Sequence, residues 1–103
     1  MQYIRVNPST AQTDTALIAA PGTGQTVKVY SVYISSDTAM TVTIEEGSTA
    51  LWRQYVAASG GQVAPSPNRA MPLFESPTAA TALTYTTSAN GNVFMSVGYE
   101  IGL

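Results

Sequence analysis

Val93-Phe94-Met95-Ser96-Val97-Gly98-Tyr99-Glu100-Ile101-Gly102 decides how this chain folds. Its odd positions carry Val93, Met95, Val97, Tyr99 and Ile101, while Phe94, Ser96, Gly98 and Glu100 fall between them. Successive side chains of a strand point to opposite faces, so a period of two predicts a long strand with one apolar face. The odd residues belong to the core. Phe94 then stands on the opposite face, where a large ring needs cover. Asn90-Gly91, just upstream, is a turn signal.

Met40, Val42 and Ile44 alternate with Thr41, Thr43 and Glu45 in the same way, and Gly47-Ser48 ends that strand. Before it, Thr26 to Ser36 (TVKVYSVYISS) is rich in β-branched and aromatic residues. Its pattern slips near Ser31: Val27 and Val29 share one parity, Val32 and Ile34 the other. Either a β-bulge sits there or both faces are covered. Asp37-Thr38 is expected to join these two strands as a hairpin.

Further strands are expected over Gln2–Val6, Thr15–Ala19, Thr49–Ala57, Met71–Glu75 and Ala82–Thr86. Pro8, Pro21-Gly22-Thr23-Gly24, Gly60-Gly61, Pro65-Ser66-Pro67 and Pro77 punctuate them. No segment keeps a helical period. About eight short strands with regular turns predict an all-β antiparallel sandwich or small barrel. One domain accounts for residues 1–103, with 1–8 set apart as a candidate N-terminal arm.

Composition narrows the function. The chain has no histidine and no cysteine, 45% of it is hydrophobic and only 10% is charged. Histidine is the readiest proton shuttle near neutral pH and cysteine the readiest nucleophile, so surfaces and partners become the place to look. Charge this sparse leaves a weakly protected surface, which implies that other subunits cover part of it. The net charge is −2 and the only cations are Arg5, Lys28, Arg53 and Arg69. Without a basic run, nucleic acid is not an expected partner. No apolar stretch is long enough to span a membrane as a helix, and MQYIRVNPST lacks the basic and apolar regions of a secretory signal. Synthesis and assembly in a cytoplasm are therefore expected.

Catalytic patterns are weak. Glu45-Glu46 is the only adjacent carboxylate pair, and neighbours on a strand point apart. Asp14, Asp37, Glu75 and Glu100 are scattered, without the spacing of a calcium loop. Serine nucleophiles need a base, and Lys28, the one lysine, lies in a predicted strand without a Ser-x-x-Lys spacing. Gly22 to Thr26 (GTGQT) lacks the Gly-Lys-Ser/Thr ending of a phosphate loop. An enzyme is not expected, nor a cofactor or metal. Aromatics remain: on Leu51 to Ala57, Trp52 shares a face with Gln54 and Val56, while Leu51, Arg53 and Tyr55 share the other. Trp, Tyr and Arg are the types enriched at interface hot spots. A lone Trp in a small sandwich is nonetheless more often a core residue than a binding one.

Two longer stretches carry a resemblance. Gly24 to Leu51 (GQTVKVYSVYISSDTAMTVTIEEGSTAL) resembles the first half of small phage virion proteins: a glycine turn, alternating Val/Ile, a small-polar turn, then "TVTI" and a glycine. GGQVAPSPN from Gly60, MPLFES from Met71 and ALTYTTSANGNVFMSVGYEI from Ala82 continue the likeness to Ile101. Such proteins are jelly-roll or TNF-like β-sandwiches, commonly trimeric, that decorate or cement capsids or form tail and head-fibre parts. The resemblance implies a virion location, a homotrimer and a docking partner such as the major capsid protein. It supplies no catalytic residues. Tyr3, Arg5, Trp52, Arg53, Tyr55, Arg69 and Phe94 are the candidate contact residues, with Met1–Val6 and the Pro-rich loop Ala64–Ala70 as docking segments. The rival readings are a receptor- or carbohydrate-binding module, with Trp52 or Tyr55 stacked on a sugar, and a tail or neck connector.

Overall fold

The computed structural model describes residues 2–65 and 71–102. They form nine strands and no helix: β1 Gln2–Val6, β2 Thr15–Ile18, β3 Thr26–Ser36, β4 Met40–Glu46, β5 Thr49–Val56, β6 Gly60–Pro65, β7 Phe74–Glu75, β8 Leu83–Thr87 and β9 Val93–Gly102. One sheet, A, runs β1-β9-β3-β6, with β7 also on β3; the other, B, runs β2-β8-β4-β5. All the pairings are antiparallel. Setting two-residue β7 aside, the pairs β1·β9, β2·β8, β3·β6 and β4·β5 nest inside one another like a single long hairpin. That hairpin is rolled so that β3 also meets β9 and β4 meets β8. This is the jelly-roll order. The sandwich expected from the sequence is present, with nine strands rather than eight.

The core lies between the sheets. Val27, Val29, Val32, Ile34, Val93, Met95 and Val97 of sheet A face Leu17, Ile18, Met40, Val42, Ile44, Val56, Leu83 and Tyr85 of sheet B, all buried. Each large aliphatic side chain among them contributes roughly 1.5–3 kcal/mol by leaving water. In β9 the alternation holds for Val93, Met95 and Val97, while Tyr99 is half-buried. Ile101, expected inward, is exposed because it lies at the far end of the strand.

Three irregularities let consecutive apolar residues reach this core. The β3–β9 register shifts between Val29 and Ser31, leaving Tyr30 as the extra residue, itself buried. Of the two readings of the slip near Ser31, the bulge is the one observed. A shift in β2–β8 between Ala16 and Ile18 does the same for Leu17 and Ile18. A third shift, in β4–β5 beyond Ile44, brings Leu51 as well as Trp52 against the core, although strict alternation had put them on opposite faces.

Other expectations need correction. Asp37-Thr38 does not make a hairpin, because β3 and β4 lie in different sheets. The link crosses the sandwich, and Asp37 fastens it: its carboxylate accepts from the Asn92 backbone N–H and side-chain amide, both at 2.9 Å. Gly91 sits in the crossing opposite, where an added Cβ would lie 2.7 Å from Thr38 Cβ. Gly60-Gly61 and Pro65, taken as breakers, belong to strand β6. Glycine and proline are tolerated there because β6 is an edge strand with only β3 as neighbour. Gln2–Val6, expected as a strand within the 1–8 segment, runs along β9 from Gln2↔Tyr99 to Val6↔Met95 in sheet A of its own chain.

Gly98 is where β1 and β3 both crowd β9. It pairs with Tyr3 on one side and Ser31 on the other. A Cβ there would meet Ser31 Oγ at 2.5 Å and Tyr3 Cε1 at 2.9 Å. Gly98→Ala is therefore expected to lower unfolding stability in urea by about 1–3 kcal/mol, the range for overpacking. A double-mutant cycle with Tyr3→Ala should show coupling, since Tyr3 is one of the two groups displaced. Wild-type stability in Gly98→Ala would refute the close approach.

Candidate functional site

The outer face of sheet A gathers three of the candidate contact residues. Past the Tyr30 bulge, the even residues of β9 and the odd residues of β1 and β3 point away from the core. Ladder pairing sets them in rows: Phe94 beside Ser35 and Gly61, Arg5 beside Ser96 and Tyr33, Tyr3 beside Gly98 and Ser31. Neighbouring strands are about 4.8 Å apart, so these rows form a floor of small residues with rings rising from it. Tyr3 is 63% exposed, Tyr33 49% and Phe94 47%. Between them lies a shallow groove of about 610 Å³. The sequence reading had named Tyr3, Arg5 and Phe94 singly and missed Tyr33, Ser35, Ser96 and Gly61. Tyr33 could have been found by choosing the bulge at Ser31, which turns it outward.

The lower end of the same face is charged. Lys28 lies opposite Glu100 and Glu75 in the ladder, with its Nζ 3.8 Å from Glu75 Oε2. The Thr26 hydroxyl donates to that oxygen at 2.6 Å.

Trp52, Arg53 and Tyr55 are not brought to this face, since β5 is the edge of sheet B. Trp52 turns inward and packs half-buried against the core. Arg53 points out and donates from Nε to Thr43 Oγ1 at 3.3 Å. Tyr55 is 71% exposed beside a hollow lined by Met40, Thr41, Val56, Ala57 and Ser88. Arg69 and most of the Pro-rich loop, residues 66–70, lie outside the described residues, as does Met1.

The carboxylates serve as ties. Glu45 and Glu46 diverge, as neighbours on a strand should. Glu46 accepts from the Ser76 hydroxyl at 2.5 Å and the Thr78 N–H at 3.2 Å, anchoring the segment after β7. Partial burial pushes its pKa up, but these donors outweigh that and leave it lowered. Glu45 accepts from the Thr86 hydroxyl on the outer face of sheet B. Its pKa is raised, chiefly by burial, and the Asp14 carboxyl beside it adds to the rise against the Thr86 donor and the Arg53 charge. Asp37 is lowered, first by the Asn92 amide and then by the Thr38 hydroxyl. Among the described residues no group of three or more His, Cys, Asp or Glu is placed to hold a metal ion. The described residues lining the two grooves include no histidine, lysine or carboxylate.

No known family model matches the chain, and no curated protein matches it.

The two signs of pKa shift predict opposite trends with pH. Glu46 and Asp37, lowered in the folded state, stabilise above their ordinary carboxylate values, and that support is lost as pH falls through the folded values. Glu45, raised, destabilises the fold as pH rises from its ordinary value through the folded one and stays unfavourable above. Glu45→Gln should therefore gain on wild type between pH 4 and 7, by under about 1 kcal/mol for a group only partly buried. Glu46→Gln should lose ground over the same range. Parallel urea titrations at the two pH values measure both, and equal slopes for the two variants would refute the assignment.

Proposed function

We propose that this is a non-enzymatic phage virion structural protein, of the capsid decoration or cement type, assembling as a homotrimer. The observation that carries the reading is Tyr55. An exposed aromatic side chain on edge strand β5 stands beside an apolar hollow of about 520 Å³ between β4 and β5. A ring left in water next to unfilled apolar surface is the anchor-and-pocket arrangement of a protein contact. Near it, Thr41 and Thr86 are half-buried on the outer side of sheet B, and Ser88 is exposed. The jelly-roll strand order and the virion-like cadence from Gly24 to Ile101 support the same reading.

The mechanism is adhesive. Burying the Tyr55 region against a shell subunit or a second copy supplies roughly 25 cal/mol per Å² of apolar area, less the cost of ordering two bodies. Many such contacts, repeated over a shell, resist its expansion. No bond is made or broken.

Purified chain is expected to co-sediment with undecorated shells of the phage that encodes it. Tyr55→Asp should weaken that association by about tenfold or more, the effect of losing one anchor residue. Light scattering on the free chain should give the mass of a trimer. Absence of co-sedimentation by the wild type would overturn the decoration role.

A further inference from the structure

We propose that the groove on the outer face of sheet A is a binding site for a carbohydrate bearing a carboxylate, a uronic or sialic acid residue. The site is separate from the Tyr55 contact: it lies on the other sheet and is built by β1, β9, β3 and β6.

Three features define the ligand. Tyr3, Tyr33 and Phe94 offer ring faces to solvent above a floor of Ser35, Ser96 and Gly61. One face of a pyranose is a sheet of C–H bonds and its rim is a set of hydroxyls. The rings suit the first; the Ser35, Ser96 and tyrosine hydroxyls suit the second. The volume, about 610 Å³, lies within the range of small-ligand sites.

Arg5 sets the charge. Among the described residues it is the one charged residue lining the groove, in the middle row between Tyr3 and Phe94, and its side chain makes no hydrogen bond or ion pair with any of them. A guanidinium presents a planar fork of donors that matches a carboxylate in two parallel hydrogen bonds. Among the described residues no carboxylate lines the groove, and Glu75 at the far end of the face is engaged with Lys28 and Thr26. An occupant that covers Arg5 must therefore bring its own negative charge, since a buried unpaired guanidinium is strongly unfavourable. A second copy applying this same groove would bury two such cations together. An extended peptide would add to the exposed edge of β1 or β6 rather than lie across the rows.

The test is an array of uronic- and sialic-acid oligosaccharides beside their carboxyl-reduced counterparts, followed by calorimetry on any that bind. Wild type should prefer the acidic form by about tenfold, the worth of a charge-assisted hydrogen bond. Arg5→Gln should abolish that preference while keeping weak binding of both forms. Tyr33→Ala should weaken both forms alike. Thermal melts of the two variants within a few degrees of wild type establish that the fold is kept. Tyr55→Asp should bind sugar as wild type does, which separates this site from the assembly contact. The proposal is overturned if no acidic saccharide binds, if acidic and reduced forms bind equally, or if an acidic peptide binds as tightly. Concentration-dependent dimerisation relieved by Tyr33→Asp would overturn it too, by giving the face to a second copy.

Discussion

The extra residue at Tyr30 governs the sandwich. β3 pairs with β9 over almost its whole length and is the central strand of sheet A. Without the bulge, strict alternation would turn Val32 and Ile34 to solvent whenever Val27 and Val29 faced the core, because a shift of one residue exchanges the faces. Inserting one residue restores both halves to the interior. The outward set is thereby split as well: Lys28 belongs to a charged end, whereas Ser31, Tyr33 and Ser35 belong to the aromatic end. One local irregularity thus fixes both the core and the groove.

The outer face of sheet A follows from the size of what lies on β9. Ser96 and Gly98 keep the centre of the sheet low, so rings from β1 and β3 rise on either side instead of meeting a ridge. Gly98 lies under the Tyr3 ring, and that contact holds β1 to the sheet although the strand has only β9 as a neighbour. Phe94, the ring that periodicity left without cover, stays 47% exposed as one wall of the groove. Its exposure is part of a shaped surface.

Strand existence was legible wherever side chains alternated cleanly, as in β4 and β9, because a period of two has one geometric meaning. β6 was not legible: Gly60, Gly61 and Pro65 read as punctuation, and only the edge position makes such residues acceptable in a strand. Long-range order was equally hidden. Asp37-Thr38 resembles a hairpin turn locally, and nothing within the segment says that β4 belongs to the other sheet. The candidate site was half legible. Tyr3, Arg5 and Phe94 stood out by residue type, but their convergence depends on strand register, as does the entry of Tyr33 and Ser96. Trp52, singled out for its chemistry, packs against the core because it pairs with buried Ile44 and shares a strand face with buried Val56.

The scarcity of charge takes on a specific meaning once five of the six carboxylates are traced. Asp37 spans two crossings, Glu46 holds the segment after β7, Glu75 binds Thr26 and Lys28, and Glu45 meets Thr86 and Asp14. Asp37 and Glu46 tie connecting segments, where backbone ladders cannot help, whereas Glu75 binds within sheet A and Glu45 within sheet B. They are consumed as ties. Of the cations, Lys28 and Arg53 are likewise engaged with their own sheet. Arg5 alone among the described cations faces outward into a groove with no side-chain partner among the described residues. In so lightly charged a molecule that position is a strong constraint: any body covering the rings must answer the guanidinium as well.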